Sequence, residues 1–287
     1  MNPAWFVAIA LKCAGPIADS DIISVASADA PFAAQAGYGG QVLGKYPAAK
    51  AIPEDGIHGA PLPGGDTLRL GKVPDPLDPK RKAFAFQLSP DDPKTSGSKR
   101  AEFSFVKNIE HGKVYWAAVS VYVYDWASDF GHDERSTVGI QLHSGDNSRR
   151  LPPVFAVNTA GPRHLHVVTR SSGSDDPTPR TTRTQRFAEK AIPFGRWMDL
   201  VFKFKLSTGS DGFLHAWMDG KRIAEHEGPL GFQTPGFKDY MKFGYYNWTQ
   251  FGAPRKLLVR SPVVVLDPSG DRYKAEDLRA FTQSRCD

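Results

Sequence analysis

The chain has 287 residues, a mass of 31.5 kDa and a formal charge of +5, which leaves room for one large β domain or two small ones, each with a full core. Its 40% hydrophobic and 23% charged residues are ordinary for a globular protein, and no apolar run reaches the length of a membrane-spanning helix. A pI of about 9.1 suits an anionic partner such as a polyuronate, a nucleic acid or a membrane surface, while two cysteines without a CxxC spacing exclude a zinc ribbon or a thioredoxin-type site.

Taken in chain order, Ala4 to Leu11 is a short apolar run, followed by Lys12 and small residues through Ala28-Asp29-Ala30. Residues 1–30 therefore read as a signal peptide or a disordered leader, although a basic n-region is missing and Pro31 follows the expected cut. If the leader stays on the chain, Cys13 can pair with Cys286 in a terminus-to-terminus disulfide. Residues 31–287 are expected to form one domain. Its first fifty residues are rich in Gly, Pro and Ala, with Leu68-Arg69-Leu70 as their predicted strand.

From Ala83 the alternation strengthens. Strands are predicted around Phe84 and Phe86, then at Arg100–Phe105, Val114–Tyr124, Thr137–His143, Val154–Val157 and Leu165–Arg170. Trp197–Lys205, Phe213–Met218, Tyr240–Tyr246 and Leu257–Leu266 follow, with Asp219-Gly220 as a two-residue hairpin turn and a short helix over Ala275–Phe281. Ser171–Arg186 is polar and reads as a surface loop, or as a lid over a cleft. With 18 Phe, 27 Gly and 23 Pro and no competing helical period, the class is all-β, a sandwich or jelly roll.

Residues two apart on a strand share a face. On the late strand Tyr240, Lys242, Gly244 and Tyr246 fall together, with Met241, Phe243 and Tyr245 opposite them as core. Gln141 and His143 oppose Ile140 and Leu142, and Arg100, Glu102 and Ser104 oppose Ala101, Phe103 and Phe105. Each polar face by itself is what a solvated sheet presents. Three such faces together form a polar groove if the strands adjoin, with Gly244 as a gap for close ligand approach.

Arg100-Ala101-Glu102, Gln141-Leu142-His143 and Tyr240-Met241-Lys242-Phe243-Gly244-Tyr245-Tyr246 resemble the signature strands of the alginate lyase, glucuronan lyase and heparin lyase I group of polysaccharide lyases. Val114-Tyr115-Trp116, Leu151-Pro152-Pro153, Gly195-Arg196-Trp197-Met198-Asp199 and the run Gly212 to Lys221 look like its heparin-lyase-I-like bacterial branch. The likeness spans about residues 83–266; Met241 replaces an aromatic, and Trp248 follows Asn247 where alginate lyases often carry Gln. It implies a β-jelly roll of two antiparallel sheets whose concave sheet holds an acidic, uronate-containing polysaccharide and cleaves it by β-elimination.

That reaction needs donors to neutralise the uronate carboxylate, a base for the C5 proton and an acid for the leaving oxygen. Arg100 and Gln141 are the neutralising candidates, because a guanidinium binds a carboxylate through two parallel bonds and an amide adds another donor. The resemblance implies that His143 and Tyr246 divide the base and acid roles; in a syn elimination Tyr246 serves as both base and acid, in an anti elimination His143 is the base, and the sequence leaves the geometry open. Lys242, Glu102, Tyr240 and Asn247 are the expected substrate-binding residues, with Glu102 orienting Arg100.

Several weaker features stand beside these. His164 and His166 have metal-ligand spacing without a third partner, so no metal site is assigned. The acidic stretch Asp125–Glu134 would be the place for a structural Ca²⁺. Arg149, Arg150, Arg163 and Arg170 either extend a basic wall or form a solvated face. A non-catalytic lectin- or laminin-G-like carbohydrate-binding sandwich is the rival class. Glycoside hydrolysis lacks its Glu-x-Asp-x-x-Glu strand, and nucleic-acid binding lacks a motif. A secreted or periplasmic monomer without membrane insertion is expected.

Overall fold

The structure is a computed structural model and describes residues 16–29, 38–42, 55–94, 97–105, 107–126 and 134–284. Among the described residues seventeen strands, numbered in chain order, form two sheets. The back sheet runs β15 (Lys221–Glu227), β14 (Phe213–Met218), β13 (Trp197–Lys205), β7 (Val114–Val123), β17 (Arg255–Leu266), β5 (Lys82–Leu88), β4 (Leu68–Pro74), β3 (Ile57–His58), with β1 (Ile22–Val25) beside β17. The front sheet runs β11 (Arg183–Arg186), β10 (His164–Ser171), β9 (Phe155–Ala160), β8 (Ser136–His143), β16 (Tyr240–Asn247), β6 (Lys99–Phe105), β2 (Tyr38–Val42), with β12 (Lys190–Ala191) beside β10. Neighbouring strands pair antiparallel, so this is the expected all-β sandwich of jelly-roll type.

The core lies between the sheets and is built by alternate residues of both. Phe103 and Phe105 on β6 pack against Phe243 on β16 with centroid separations of 5.7 and 5.0 Å, and Phe84 of the back sheet meets Phe103 at 5.2 Å. Each buried phenyl ring contributes about 1.5–3 kcal/mol by leaving water. Strand β7 breaks the alternation, with both of its faces buried. The reason is the helix α1 (Ala275–Gln283), whose Leu278 and Phe281 cover Trp116 and Ala118 on the outside of the back sheet. A strand buried on two sides reads as a continuous apolar run.

Three expectations need correction. Ile22–Val25, assigned from sequence to a leader over residues 1–30, pairs with β17, and Ala26 and Ala28 are buried in the main core. The small residues of that stretch fit close packing. Ser171–Arg186 is not loop throughout: Arg183–Arg186 pairs with β10 as an edge strand, its exposed polar side chains hiding the strand from pattern reading. Lys221–Glu227 was likewise missed as a strand, although the Asp219-Gly220 turn that leads into it has the expected positive φ at both residues, 52° and 80°. Cys13 and Cys286 lie outside the described residues.

Two buried ion pairs tie loops to the sheets. The Arg255 guanidinium meets Glu134 at 2.8 Å with both side chains fully buried, and Arg69 meets Asp92 at 2.8 Å. Among the described residues no helix is long and apolar enough to cross a membrane.

Candidate active site

The three polar faces adjoin. Strand β16 lies between β8 and β6, and the register pairs Tyr240 with His143, Lys242 with Gln141 and Ser104, and Tyr246 with Thr137 and Arg100. Because Met241, Phe243 and Tyr245 go to the core, Tyr240, Lys242 and Tyr246 face outward between Gln141 and His143 on one side and Arg100 and Glu102 on the other.

A cavity of about 550 Å³ opens on this face. Arg100, His143, Tyr240, Lys242 and Tyr246 line it from the strands, and Asp146, Asn147, Arg150 and Leu151 from the loop after β8. Asp146 and Asn147 were missed in the sequence; their position directly after Gln141-Leu142-His143 was the available signal. The loop is held from beneath, since the Gly145 amide donates to Asp239 at 2.9 Å and the Ser148 amide to Asp146 at 3.0 Å. A side chain at Gly145 would collide with the Lys238 carbonyl, 2.0 Å from the Cβ position.

Burial first, then the nearby Lys242 charge, lowers the His143 pKa to about 3, so the imidazole is neutral at physiological pH. Its Nδ1 lies 3.4 Å from the Ser144 carbonyl, which can only accept, so Nδ1 carries the proton and Nε2 keeps its lone pair. Tyr240 behaves oppositely: burial and the Glu102 carboxylate push its pKa up to about 12, which keeps it a phenol. Its ring lies 5.8 Å from that of His143.

Tyr246 stands at the other end of the depression. The Arg100 guanidinium sits 4.6 Å from its ring centroid, and Arg100 Nη2 donates to Ser98 at 2.7 Å. Six residues along β16 separate the register positions of His143 and Tyr246, about 20 Å of extended chain. Both side chains nonetheless line the one cavity.

Glu102 and Gln141 lie beneath, 2% exposed each, and neither lines the cavity. The Gln141 amide donates to Glu102 across β16, and Lys242 Nζ lies 3.9 Å from the same carboxylate. Glu102, expected to orient Arg100, is thus engaged by Gln141 and Lys242. Burial lowers the Lys242 pKa, against the opposing pull of Glu102.

Two further expectations fail on geometry. Asn247 is fully buried on the core face, donating to Ser136 Oγ at 3.0 Å and accepting from the Thr249 amide at 2.9 Å, so it cannot meet substrate. Alternation from Tyr245 puts it there. Gly244 is not a gap for ligand: with φ at 136°, a Cβ would meet the Ala101 carbonyl at 2.4 Å and Phe86 Cδ1 at 2.7 Å, so its smallness serves strand and sheet packing.

Of the four arginines considered for a basic wall, Arg150 lines the cavity and Arg149 is paired with Asp146 and Asp176. Arg163 is exposed, and Arg170 belongs to a second depression with His166. Among the described residues His164 and His166 join no group of three metal-ligating side chains; His215, Glu225 and Glu227 form one, exposed on the back sheet. Of the acidic stretch considered for Ca²⁺, residues 127–133 lie outside the described residues and Glu134 is taken by Arg255.

Comparison with known proteins agrees with this fold. The endo-β-1,4-glucuronan lyase of the fungus Trichoderma reesei superposes with a TM-score of 0.59 at 11% identity, over 80% of this chain and 94% of that one. Alginate lyase A1-II′, a member of polysaccharide lyase family 7, superposes with a TM-score of 0.53 at 16% identity, over 81% and 95%. At such identities the likeness is one of fold, and it does not establish the narrower heparin-lyase-I-like branch. No curated protein sequence matches the chain. The polysaccharide lyase family profile matches residues 69–259, a span that holds β6, β8 and β16 entire, and on that match the chain belongs to the polysaccharide lyase family.

Proposed function

We propose that this lyase cleaves a uronate-containing polysaccharide by β-elimination in the cavity between His143 and Tyr246. Arg100 binds the uronate carboxylate through its guanidinium and lowers the charge that opposes loss of the C5 proton. Lys242, beside Glu102, adds a second cation for the enolate-like charge that develops. His143 Nε2 takes the C5 proton, the C–H electrons form the C4–C5 double bond, and the C4–O4 bond breaks. Tyr246 gives its phenolic proton to O4. Gln141, committed to Glu102, acts as a positioning residue.

The observation that carries this reading is an imidazole, kept neutral by burial and the Lys242 charge and with Nδ1 toward the Ser144 carbonyl, sharing one cavity with a phenol and the cations Arg100, Lys242 and Arg150. That both side chains line one cavity supports dividing the proton transfers between two groups. A polymeric acidic substrate is met outside the cytoplasm, so a secreted or periplasmic enzyme is part of the same proposal.

The test is incubation with glucuronan, alginate, heparin and other polyuronates while following the ultraviolet absorbance of the 4,5-unsaturated uronate. His143→Gln and Tyr246→Phe are each expected to lower kcat by about 10²–10⁴-fold, as loss of a general base or acid does. Retarded migration through a polyuronate gel without any unsaturated product would instead identify a carbohydrate-binding sandwich.

A further inference from the structure

A second depression, of about 410 Å³, opens on the same front sheet and shares no lining residue with the first. His166 and Arg170 reach it from β10, Arg186 from β11, and Trp248 from the end of β16. The two depressions lie in one row across the strands. The register runs from Tyr246 to Thr137, from Thr137 to Asn158 and from Asn158 to His166, three inter-strand steps of about 4.8 Å each, or on the order of 14 Å. Trp248 joins them, its ring 5.6 Å from that of Tyr246.

Two features set this depression apart from a solvated sheet face. Trp248 is 37% exposed, one of only three large hydrophobic side chains so exposed among the described residues, and it is in the groove. An indole presented to water beside a sugar-cleaving site is a flat apolar platform of the kind a sugar ring stacks on. The second feature is the cation pair. Arg186 stands opposite Val168 on the outward face, diagonal to both His166 and Arg170. Among the described residues no carboxylate lies within ion-pair distance of Arg170 or Arg186; Glu134 in the same lining is bound to Arg255, and Glu189 is exposed at the rim. Arg170 donates to the Pro153 carbonyl at 2.8 Å, a neutral partner that leaves its charge unbalanced. Burial, then the Arg186 charge, brings the Arg170 pKa down to about 10. Two guanidinium groups held together at a cost are stabilised by an anion between them.

We infer that this depression is a remote substrate-recognition site, where Trp248 stacks on one sugar and Arg170 with Arg186 grips the carboxylate or sulfate of the polysaccharide, a short oligosaccharide's span from the bond cleaved. It deepens the β-elimination reading and rests on it for the identity of the chain that crosses the groove.

Arg186→Gln and Trp248→Ala test it, because both side chains are exposed and their removal leaves the core intact; an unchanged Tm is the control for folding. The first readout is kcat/KM on a length series of oligosaccharides prepared from whichever of alginate, glucuronan or heparin the enzyme cleaves. The penalty is expected to grow with chain length and to reach about tenfold on polymer, the loss of one charge-assisted hydrogen bond. The second readout is affinity electrophoresis through gels holding each polymer, in a Tyr246→Phe background. Weaker retardation in all three gels assigns a carboxylate, and weakening confined to heparin assigns a sulfate. If wild type cleaves polymer and both variants match it at every length, the inference is overturned while the chemistry stands. If wild type cleaves nothing but Arg186→Gln weakens retardation, the chemistry fails and the recognition site stands. Absence of retardation of the parent protein by all three polymers overturns the site as well.

Discussion

The depressed pKa of His143 has a direct kinetic consequence. An imidazole at its ordinary value of about 6.5 would be only about 3% neutral at pH 5, and a reaction using it as base would slow about 30-fold between pH 8 and pH 5. In this site burial and Lys242 hold the group near 3, so the base is still almost wholly unprotonated at pH 5. The kcat/KM for unsaturated-product formation should therefore stay flat, within about twofold, from pH 7.5 to pH 5. The assay is initial-rate absorbance in constant-ionic-strength buffers, with Lys242→Met as the companion variant. Removing the charge that is the second cause of the shift should move the acidic limb upward in pH, without restoring it fully, since burial remains the first cause. A wild-type limb of unit slope with its midpoint near 6.5 would refute both the neutral buried imidazole and its use as base. Stability carries the same sign. The unfolded chain binds a proton near pH 6.5 that the folded chain refuses until about pH 3, so the His143 contribution makes the protein less stable as pH falls through that window.

Three structural predictions follow from the same strands. Gly244→Ala places a Cβ 2.4 Å from the Ala101 carbonyl at a φ of 136°, and overpacking with backbone strain should cost about 2–6 kcal/mol, read by denaturant unfolding. Glu134→Gln removes the carboxylate paired with the buried Arg255 guanidinium and should cost about 3–5 kcal/mol, a fall in Tm on the order of 10 °C by calorimetry. Asn247→Ala removes the partner of Ser136 and of the Thr249 amide, so a stability loss of about 1–3 kcal/mol is expected with an unchanged KM; a raised KM in a fully folded variant would return Asn247 to the groove.

Much of the site was legible because strand parity is local. Counting by two along Tyr240–Tyr246, Gln141–His143 and Arg100–Ser104 separates core from groove without knowing any partner strand; the structure bears out the apolar half of each division, while of the polar half Arg100, His143, Tyr240, Lys242 and Tyr246 reach the cavity and Glu102, Gln141 and Gly244 do not. The same count places Asn247 with Tyr245 in the core, so that error came from following the resemblance past the point where parity had decided. Polar edge strands such as Arg183–Arg186 were illegible for the opposite reason, since a strand with no buried face carries no alternation. The pairing of Ile22–Val25 depends on β17, more than 230 residues away in the chain, and no local pattern reports it.

By itself, then, the order of side chains determined an all-β sandwich and the outward set Arg100, Glu102, Gln141, His143, Tyr240, Lys242 and Tyr246, because the pleat has a period of two wherever a strand occurs. Tertiary structure decided which of these meet. Pairing β16 between β8 and β6 sinks Gln141 and Glu102 under Lys242, leaves Arg100 and Tyr246 open, and surrounds His143 closely enough to keep it neutral. Those outcomes depend on long-range register and on the water each group loses when the sheets close, neither of which is encoded in any one strand.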